Sequence, residues 1–288
     1  MKKVFSLMAI SLFLWCGLIL NVSASSYVNE KGVLIDEEIV NEFKDVMNPD
    51  SFKYMDQFIY NTYVFKHTHG FDRTTQIYVN KDLIQNGKII KSESFVVSEK
   101  EYNEKYAIES HNDCSNNNLC WQTSALKVEL ENSSSSPYLT STLYVNWLTV
   151  PSVKSYDILA FRYSNFNILD AQGLQYVNYD TANPICYVWK DSSINGNAFT
   201  KASNGIGIAM GLSPKGNEPY SMQMFIWGTY KKGGSLVATY QHTNSPLTLN
   251  EAKNYSFNSA GLGNVINYSS ATIANKYSGS PGITYVYK

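Results

Sequence analysis

The sequence is poor in charge and in the residue patterns of common enzymes, and each shortage excludes a class of function. Charged residues make up 16% of the chain, and the formal net charge is −1. The basic residues are scattered rather than clustered, so we expect no nucleic-acid partner. The chain has no Gly-rich phosphate loop, no nucleophile-elbow serine and no His-Glu-x-x-His stretch. We therefore predict no cofactor, and we find no sequence signature that indicates an enzyme.

Long hydrophobic runs are also scarce, and the one that occurs lies at the N-terminus. Lys2 and Lys3 precede an apolar run over residues 4–20, and Ala24 ends a stretch of small residues. This order predicts a signal peptide over residues 1–24. A membrane anchor is the competing interpretation, although the run is at the lower limit for a span. The prediction is a protein that is secreted or held at the cell surface.

Cysteine is infrequent, and three cysteines follow the predicted leader. Cys114 and Cys120 bound an Asn-rich, turn-prone loop, and we predict a disulfide between them in an oxidising compartment. Cys186 is then the odd cysteine. A buried, inert thiol is the favoured interpretation for it, and a reactive thiol is the alternative.

Alternating apolar residues and turn signals dominate the rest of the chain. Leu126, Val128 and Leu130 alternate with charged residues, which is typical of a strand with one buried face and its other face in water. Many short strands separated by turns predict a mainly β fold, an antiparallel β-sandwich or jelly roll. The sequence predicts that an amphipathic helix, which begins after Asp36, and a small α+β segment come before the sandwich. Residues 58–66 are predicted to form a strand. We expect an acidic α+β segment over residues 25–115 and the sandwich over 116–288, with a single domain as the alternative.

One predicted strand has an unusual face of small residues. In residues 205–212, Gly207, Ala209 and Gly211 alternate with Ile206, Ile208 and Met210. A face without large side chains allows close approach to the backbone. An aromatic side chain from the facing sheet is the favoured occupant, and a ligand is the alternative.

A pair of histidines is the strongest candidate for metal or acid–base chemistry. His67 and His69 would lie on one side of a strand end, with Asp72 shortly after them. We assign no metal, because a third histidine and a further carboxylate are not evident. An exposed turn before Gly70 explains the same residues.

Aromatic residues are abundant, and some of them could form a binding surface. The chain has 22 tyrosines and 13 phenylalanines. Rings that lie together on the surface could stack on sugars or insert at a lipid interface, whereas core packing would claim the others. The tryptophans considered as ligand-binding candidates are Trp121, Trp147, Trp189 and Trp227.

Three stretches, residues 143–162, 205–208 and 236–242, resemble segments of uncharacterised exported β-rich proteins of Gram-positive bacteria. The resemblance implies a secreted bacterial protein and supplies no activity, fold or site. Our main hypothesis is a non-enzymatic β-sandwich protein that binds an extracellular protein or glycan. A membrane-binding or pore-forming sandwich of the actinoporin type is the first alternative, and an extracellular hydrolase is the second.

Overall fold

The computed structural model describes residues 25–86, 88–107, 119–149, 151, 153–177, 185–190, 197–214, 220–258, 265–279 and 282–287. The prediction of a mainly β, antiparallel fold is confirmed. The strands are β1 (Ser26–Val28), β2 (Leu34–Asp36), β3 (Asp72–Gln85), β4 (Lys88–Val97), β5 (Leu119–Ser135), β6 (Tyr138–Trp147), β7 (Tyr156–Tyr163), β8 (Phe166–Val177), β9 (Ile185–Lys190), β10 (Phe199–Ala202), β11 (Gly205–Gly211), β12 (Tyr220–Tyr230), β13 (Ser235–Thr243), β14 (Tyr255–Phe257), β15 (Ile266–Tyr268), β16 (Tyr277–Gly279) and β17 (Ile283–Val286).

Short helices flank the strands at both ends of the described chain. The α-helices are α1 (Glu37–Phe43), α2 (Gln57–His69), α3 (Glu99–Glu101), α4 (Leu249–Ala252) and α5 (Ala271–Ala274). A 3-10 helix spans Pro49–Tyr54 and a π-helical turn spans Tyr102–Tyr106.

Two antiparallel sheets form a sandwich. The larger sheet has the order β4-β3-β5-β6-β12-β8-β9, and the smaller one has the order β10-β11-β7-β13-β16, with β17 also paired to β13. The alternation in β5 places Leu126, Val128 and Leu130 in the core between the sheets, where they meet residues such as Phe161 and Met210 from the smaller sheet. The predicted buried face of this strand is therefore confirmed. The expectation that the opposite face lies in water is wrong, because Glu129 and Glu131 on that face are buried.

A helical layer covers the outer face of the larger sheet. The predicted helix after Asp36 is present as α1, and the Asp36 carboxylate accepts a hydrogen bond from the Glu38 amide. The predicted strand over residues 58–66 is wrong, because these residues belong to α2. Phe43 and Tyr63 of this layer pack in one buried cluster with Phe225 of β12.

A second layer, built from the C-terminal residues, covers the outer face of the smaller sheet. The small face of β11 receives aromatic side chains, but they come from this layer and not from the facing sheet as predicted, because this face of β11 points away from the core between the sheets. An added Cβ at Gly205 would lie 2.2 Å from the Phe257 ring, and one at Gly207 would lie 2.4 Å from the Tyr255 hydroxyl. Glycine is required at these two positions because the side chains of Phe257 and Tyr255 occupy the space that a Cβ atom would need.

The larger sheet joins both segments expected from the sequence. β3 and β4 come from residues 25–115, and β3 pairs along its whole length with β5. The two expected segments, 25–115 and 116–288, therefore contribute strands to one continuous sheet. Within the described residues, no helix is long and apolar enough to cross a bilayer.

Candidate functional site

An open cavity of about 520 Å³ lies on the outer face of the larger sheet, beside helix α2. We call it the Trp227 groove. Strands β8 and β12 form its floor and the helix forms its wall. The lining residues are Phe58, Asn61, Thr62, Val64, Phe65, Thr68, His69, Leu169, Asp170 and Trp227.

Four aromatic rings form a continuous row at the Trp227 groove. Tyr138 stacks on Trp227 with 5.7 Å between ring centroids and 23° between planes. The Phe65 ring meets Trp227 edge to face at 4.8 Å, and His69 lies 4.2 Å from Phe65. Tyr138 is 43% exposed and His69 is also exposed, so both ends of the row are open to solvent. Such a surface can stack against a flat apolar ligand face.

The helical period of α2 places one stripe of side chains in the groove. Asn61, Phe65 and His69 are spaced four residues apart and therefore lie on one side of the helix. On β12, strand alternation places Phe225 and Trp227 on the outer face of the sheet. The side chains from α2 and from β12 line the same groove because the helix packs across this strand.

Lys66 anchors α2 on the sheet. Its ammonium is fully buried and donates hydrogen bonds to Glu131 Oε2 at 2.8 Å, Thr142 Oγ1 at 2.6 Å and the Tyr144 hydroxyl at 2.9 Å. Burial lowers the pKa of Lys66, and the Glu131 carboxylate opposes that shift. Burial raises the pKa of Glu131, but Lys66 and its hydrogen bond outweigh this effect and hold that pKa below its usual value. The three hydrogen bonds of Lys66 tie the helix to the sheet and fix the position of the groove wall.

Polar groups of the groove are few and sit beside the rings. Asn61, Thr68, His69 and Asp170 contribute an amide, a hydroxyl, an imidazole and a carboxylate. A cavity with mainly aromatic and apolar walls and a small number of polar groups is typical of small-molecule sites.

The predicted histidine cluster has a different geometry. His67 and His69 lie on helix α2 rather than at a strand end, and positions two apart on a helix point in different directions. His67 Nδ1 lies 2.5 Å from Glu42 Oε2, and this hydrogen bond raises the pKa of His67. Asp72 starts β3. Among the described residues, no group of three or more His, Cys, Asp and Glu side chains could hold a metal ion.

The four candidate tryptophans do not form one platform. Trp227 lines the groove, whereas Trp147 is 2% exposed in the core, where its Nε1 donates to the Tyr240 hydroxyl at 3.1 Å. Trp121 is 42% exposed on β5, with the Lys91 ammonium 5.9 Å from its ring. Trp189 is half-buried on β9 against the core. One candidate of the four therefore belongs to the site.

The described residues test only part of the cysteine predictions. Cys114 lies outside the described residues. Cys120, at the start of β5, is disulfide-bonded, and its pairing with Cys114 stays a prediction. Cys186 on β9 is a free thiol, and burial raises its pKa to about 12. A thiol with such a pKa is a poor nucleophile at neutral pH.

A buried histidine–aspartate pair offers an alternative chemical site. His242 Nδ1 lies 3.0 Å from Asp157 Oδ1, and the Tyr240 hydroxyl donates to the same carboxylate. The side chains of His242 and Asp157 are 6% and 0% exposed, and the Trp147 ring lies 4.7 Å from the imidazole. Asp157 lies on β7 and His242 on the neighbouring strand β13, so the pair links these two strands inside the sandwich.

Comparisons with known proteins add little to this geometry. No family model matches the chain, and no curated protein matches it. A solved domain named BspA_C_WT is 6% identical with a TM-score of 0.26, over 59% of this chain and 87% of that one. The C-terminal domain of the Streptococcus pyogenes antigen I/II-family protein AspA is 7% identical with a TM-score of 0.27, over 60% and 80%. Because both TM-scores are below 0.5, we build nothing on these similarities.

Proposed function

We propose that this protein is a secreted or cell-surface binding protein that takes up an extracellular glycan in the Trp227 groove. The observation that carries the proposal is the row of Tyr138, Trp227, Phe65 and His69 beside Asn61 and Asp170. Sugar rings present apolar C–H faces that stack on aromatic rings. Their hydroxyls need amide and carboxylate partners at the rim. Secretion is supported by the leader-like residues 1–24.

Groove size favours a glycan over a protein partner. A cavity of about 520 Å³ falls within the range of small-molecule sites, about 300–1,000 Å³. A protein partner would instead need a broad interface of about 800 Å² on each side. One or two sugar units fit the concave shape better.

Binding without hydrolysis is supported by the acidic groups of the groove. Glycoside hydrolysis commonly uses two carboxyl groups about 5–9.5 Å apart across the scissile bond. Among the described lining residues, Asp170 is the carboxylate present. We therefore favour a binding protein over the extracellular hydrolase.

The test is a glycan array followed by calorimetric titration of the best ligand with Trp227→Ala. We expect affinity to fall about tenfold or more, which corresponds to about 1.4 kcal/mol, because the ligand would lose its main stacking surface. Trp121→Ala is the matched control, since Trp121 is an exposed tryptophan on another strand of the same sheet. Circular dichroism checks that both variants are folded.

Three outcomes would count against the proposal. An array without a hit would remove the glycan as the ligand. An equal loss of affinity in the two tryptophan variants would place the site elsewhere. Pelleting with liposomes that Trp227→Ala abolishes would support the membrane-surface alternative for the same groove.

A further inference from the structure

The hydrogen-bond donors on the wall of the Trp227 groove are largely committed to the helix that forms this wall. The Thr62 hydroxyl donates to a backbone carbonyl of the preceding turn at 2.7 Å, and the Thr68 hydroxyl does the same at 2.8 Å. Both residues line the groove. A hydroxyl that donates in this way still offers its lone pairs, so both groups remain acceptors for a ligand.

The imidazole of His69 is also fixed as an acceptor. Its Nδ1 lies 3.0 Å from the carbonyl oxygen of Phe65. Because a carbonyl can only accept, Nδ1 carries the hydrogen of this bond, and Nε2 of the neutral ring is then an acceptor. Asn61 differs, since its Oδ1 accepts from Gln57 Nε2 at 2.8 Å and its amide nitrogen can still donate. Acceptors therefore predominate on the helical wall.

The floor of the groove adds a carboxylate beside the largest ring. Asp170 of β8 lies directly opposite Trp227 of β12 in the antiparallel pair, and both side chains line the cavity. Residues directly opposite in such a pair have Cβ atoms about 4.5–5.5 Å apart. Among the described lining residues none is lysine or arginine, and Lys190 on the neighbouring strand forms an ion pair with Asp56. The floor therefore joins an aromatic face to an acidic group.

This combination favours a positively charged ligand. A cation is attracted to the face of an aromatic ring, most strongly to that of tryptophan, and a carboxylate adds a charge-assisted hydrogen bond. An ammonium group has three donors and no acceptor, so it complements a wall of acceptors. A carboxylate or an acetamido carbonyl on the ligand would instead face acceptors and would find a donor mainly at Asn61.

We propose that the Trp227 groove selects a cationic amino sugar over neutral, N-acetylated and acidic sugars. The ammonium lies between the Trp227 ring and the Asp170 carboxylate, and the sugar ring stacks along the aromatic row. This inference rests on the glycan-binding function proposed above, and it names the chemical class of the ligand.

The test compares three disaccharides that share one backbone and differ at a single position of each sugar unit. Cellobiose carries a hydroxyl there, diacetylchitobiose carries an acetamido group, and the deacetylated form of the latter carries an ammonium. Calorimetric titration at about pH 7 keeps most of the amine charged. We expect the ammonium disaccharide to bind about tenfold or more tightly than either of the others. Its affinity should fall as salt is added, because salt screens the attraction between charges.

The variant Asp170→Asn removes the carboxylate charge and keeps the size of the side chain. We expect the ratio of the affinities for the ammonium and the hydroxyl disaccharides to fall about tenfold. Asp50→Asn is the matched control, because Asp50 is an exposed residue outside the groove and undergoes the same change in charge. The ratio should stay at its original value in this control. Circular dichroism checks that both variants are folded.

Several results would overturn the inference. Equal affinity for the ammonium and the hydroxyl disaccharides, or tightest binding of the acetamido form, overturns it and leaves the glycan-binding function in place. A preference that Asp170→Asn does not change overturns it as well. Phosphocholine serves as a fourth probe, and tighter binding of this lipid headgroup would replace the amino sugar as the ligand. If none of the disaccharides binds, the inference fails, and the glycan array decides separately whether the groove takes another glycan.

Discussion

Lys66 is a residue whose charge is buried between the helical layer and the larger sheet. Glu131 is its ionic partner, and Arg73 Nη2 lies 2.7 Å from the other oxygen of the same carboxylate. The Lys66 ammonium also lies 5.1 Å from the centre of the Tyr63 ring. Removal of one member of such a pair is costly because the charge of the other member stays buried.

We expect Lys66→Met to lower the free energy of unfolding by about 3 kcal/mol. The Glu131 carboxylate would lose its ammonium partner and keep Arg73, while the methionine fills most of the space. Urea unfolding followed by circular dichroism measures the change. Lys53→Met is the control, since the Lys53–Asp50 pair is half exposed and is worth at most about 1 kcal/mol. Similar losses in the two variants would contradict the assigned role of Lys66.

Trp227 illustrates what the sequence could and could not predict about the site. The excess of aromatic residues indicated a stacking surface, and Trp227 was among four candidates for it. Strand alternation does separate Trp227 from the buried Trp147, because Trp147 shares an apolar strand face with Val145, whereas Trp227 lies on the more polar face of β12. Phe65, Leu169 and Asp170 join Trp227 only through tertiary packing, so the sequence did not predict them.

Helix α2 shows how a local preference can mislead at the scale of one element. Residues 58–66 are rich in aromatic and β-branched side chains, which favour strands. The buried residues Ile59, Tyr60, Tyr63 and Lys66 nevertheless follow helical spacing. The overlooked signal was Asp56, whose carboxylate accepts a hydrogen bond from the Ile59 amide at 3.0 Å. By contrast, β5 alternates clearly because its two faces meet different environments.

The N-cap of α2 should contribute measurably to stability. We expect Asp56→Ala to lower the free energy of unfolding by about 1 kcal/mol, because the Ile59 amide loses its acceptor. Asp56→Asn is the matched comparison, since asparagine caps helices equally well but removes the charge that faces Lys190. If Asp56→Asn is as destabilising as Asp56→Ala, the ion pair rather than the cap is responsible. Thermal and urea unfolding distinguish these outcomes.

The whole molecule is organised as four layers, with the sandwich between two covering layers. The larger sheet takes strands from both segments predicted from the sequence, so those segments cannot be separated without cutting β3 from β5. Composition marked a change near residue 115 or 131, but strand pairing between distant residues is not visible in composition. The expected β class followed from local patterns, whereas the layer order depends on long-range contacts.

Removal of the helical layer should expose an apolar surface. We expect a chain that begins at residue 72 to bind a hydrophobic dye and to aggregate, because Tyr144, Leu174 and Phe225 would lose their cover. The chain that begins at residue 25 is the control. A soluble, dye-free monomer from the shorter chain would show that the sheet is stable without the layer. Dye fluorescence and light scattering measure both properties.

The hydrogen bond from Tyr63 to Gln223 joins residues that are 160 positions apart. Gln223 lies on β12, which occupies the middle of the larger sheet between β6 and β8. Helix α2 is therefore made long before the strand on which it rests. At about 5–20 residues per second, the ribosome needs about 10 to 30 seconds to supply that strand. The Lys66 charge can pair with Glu131 once β5 is made, but during the whole interval Tyr63 lacks its partner on β12, so the newly made chain depends on time as well as on sequence to reach its fold.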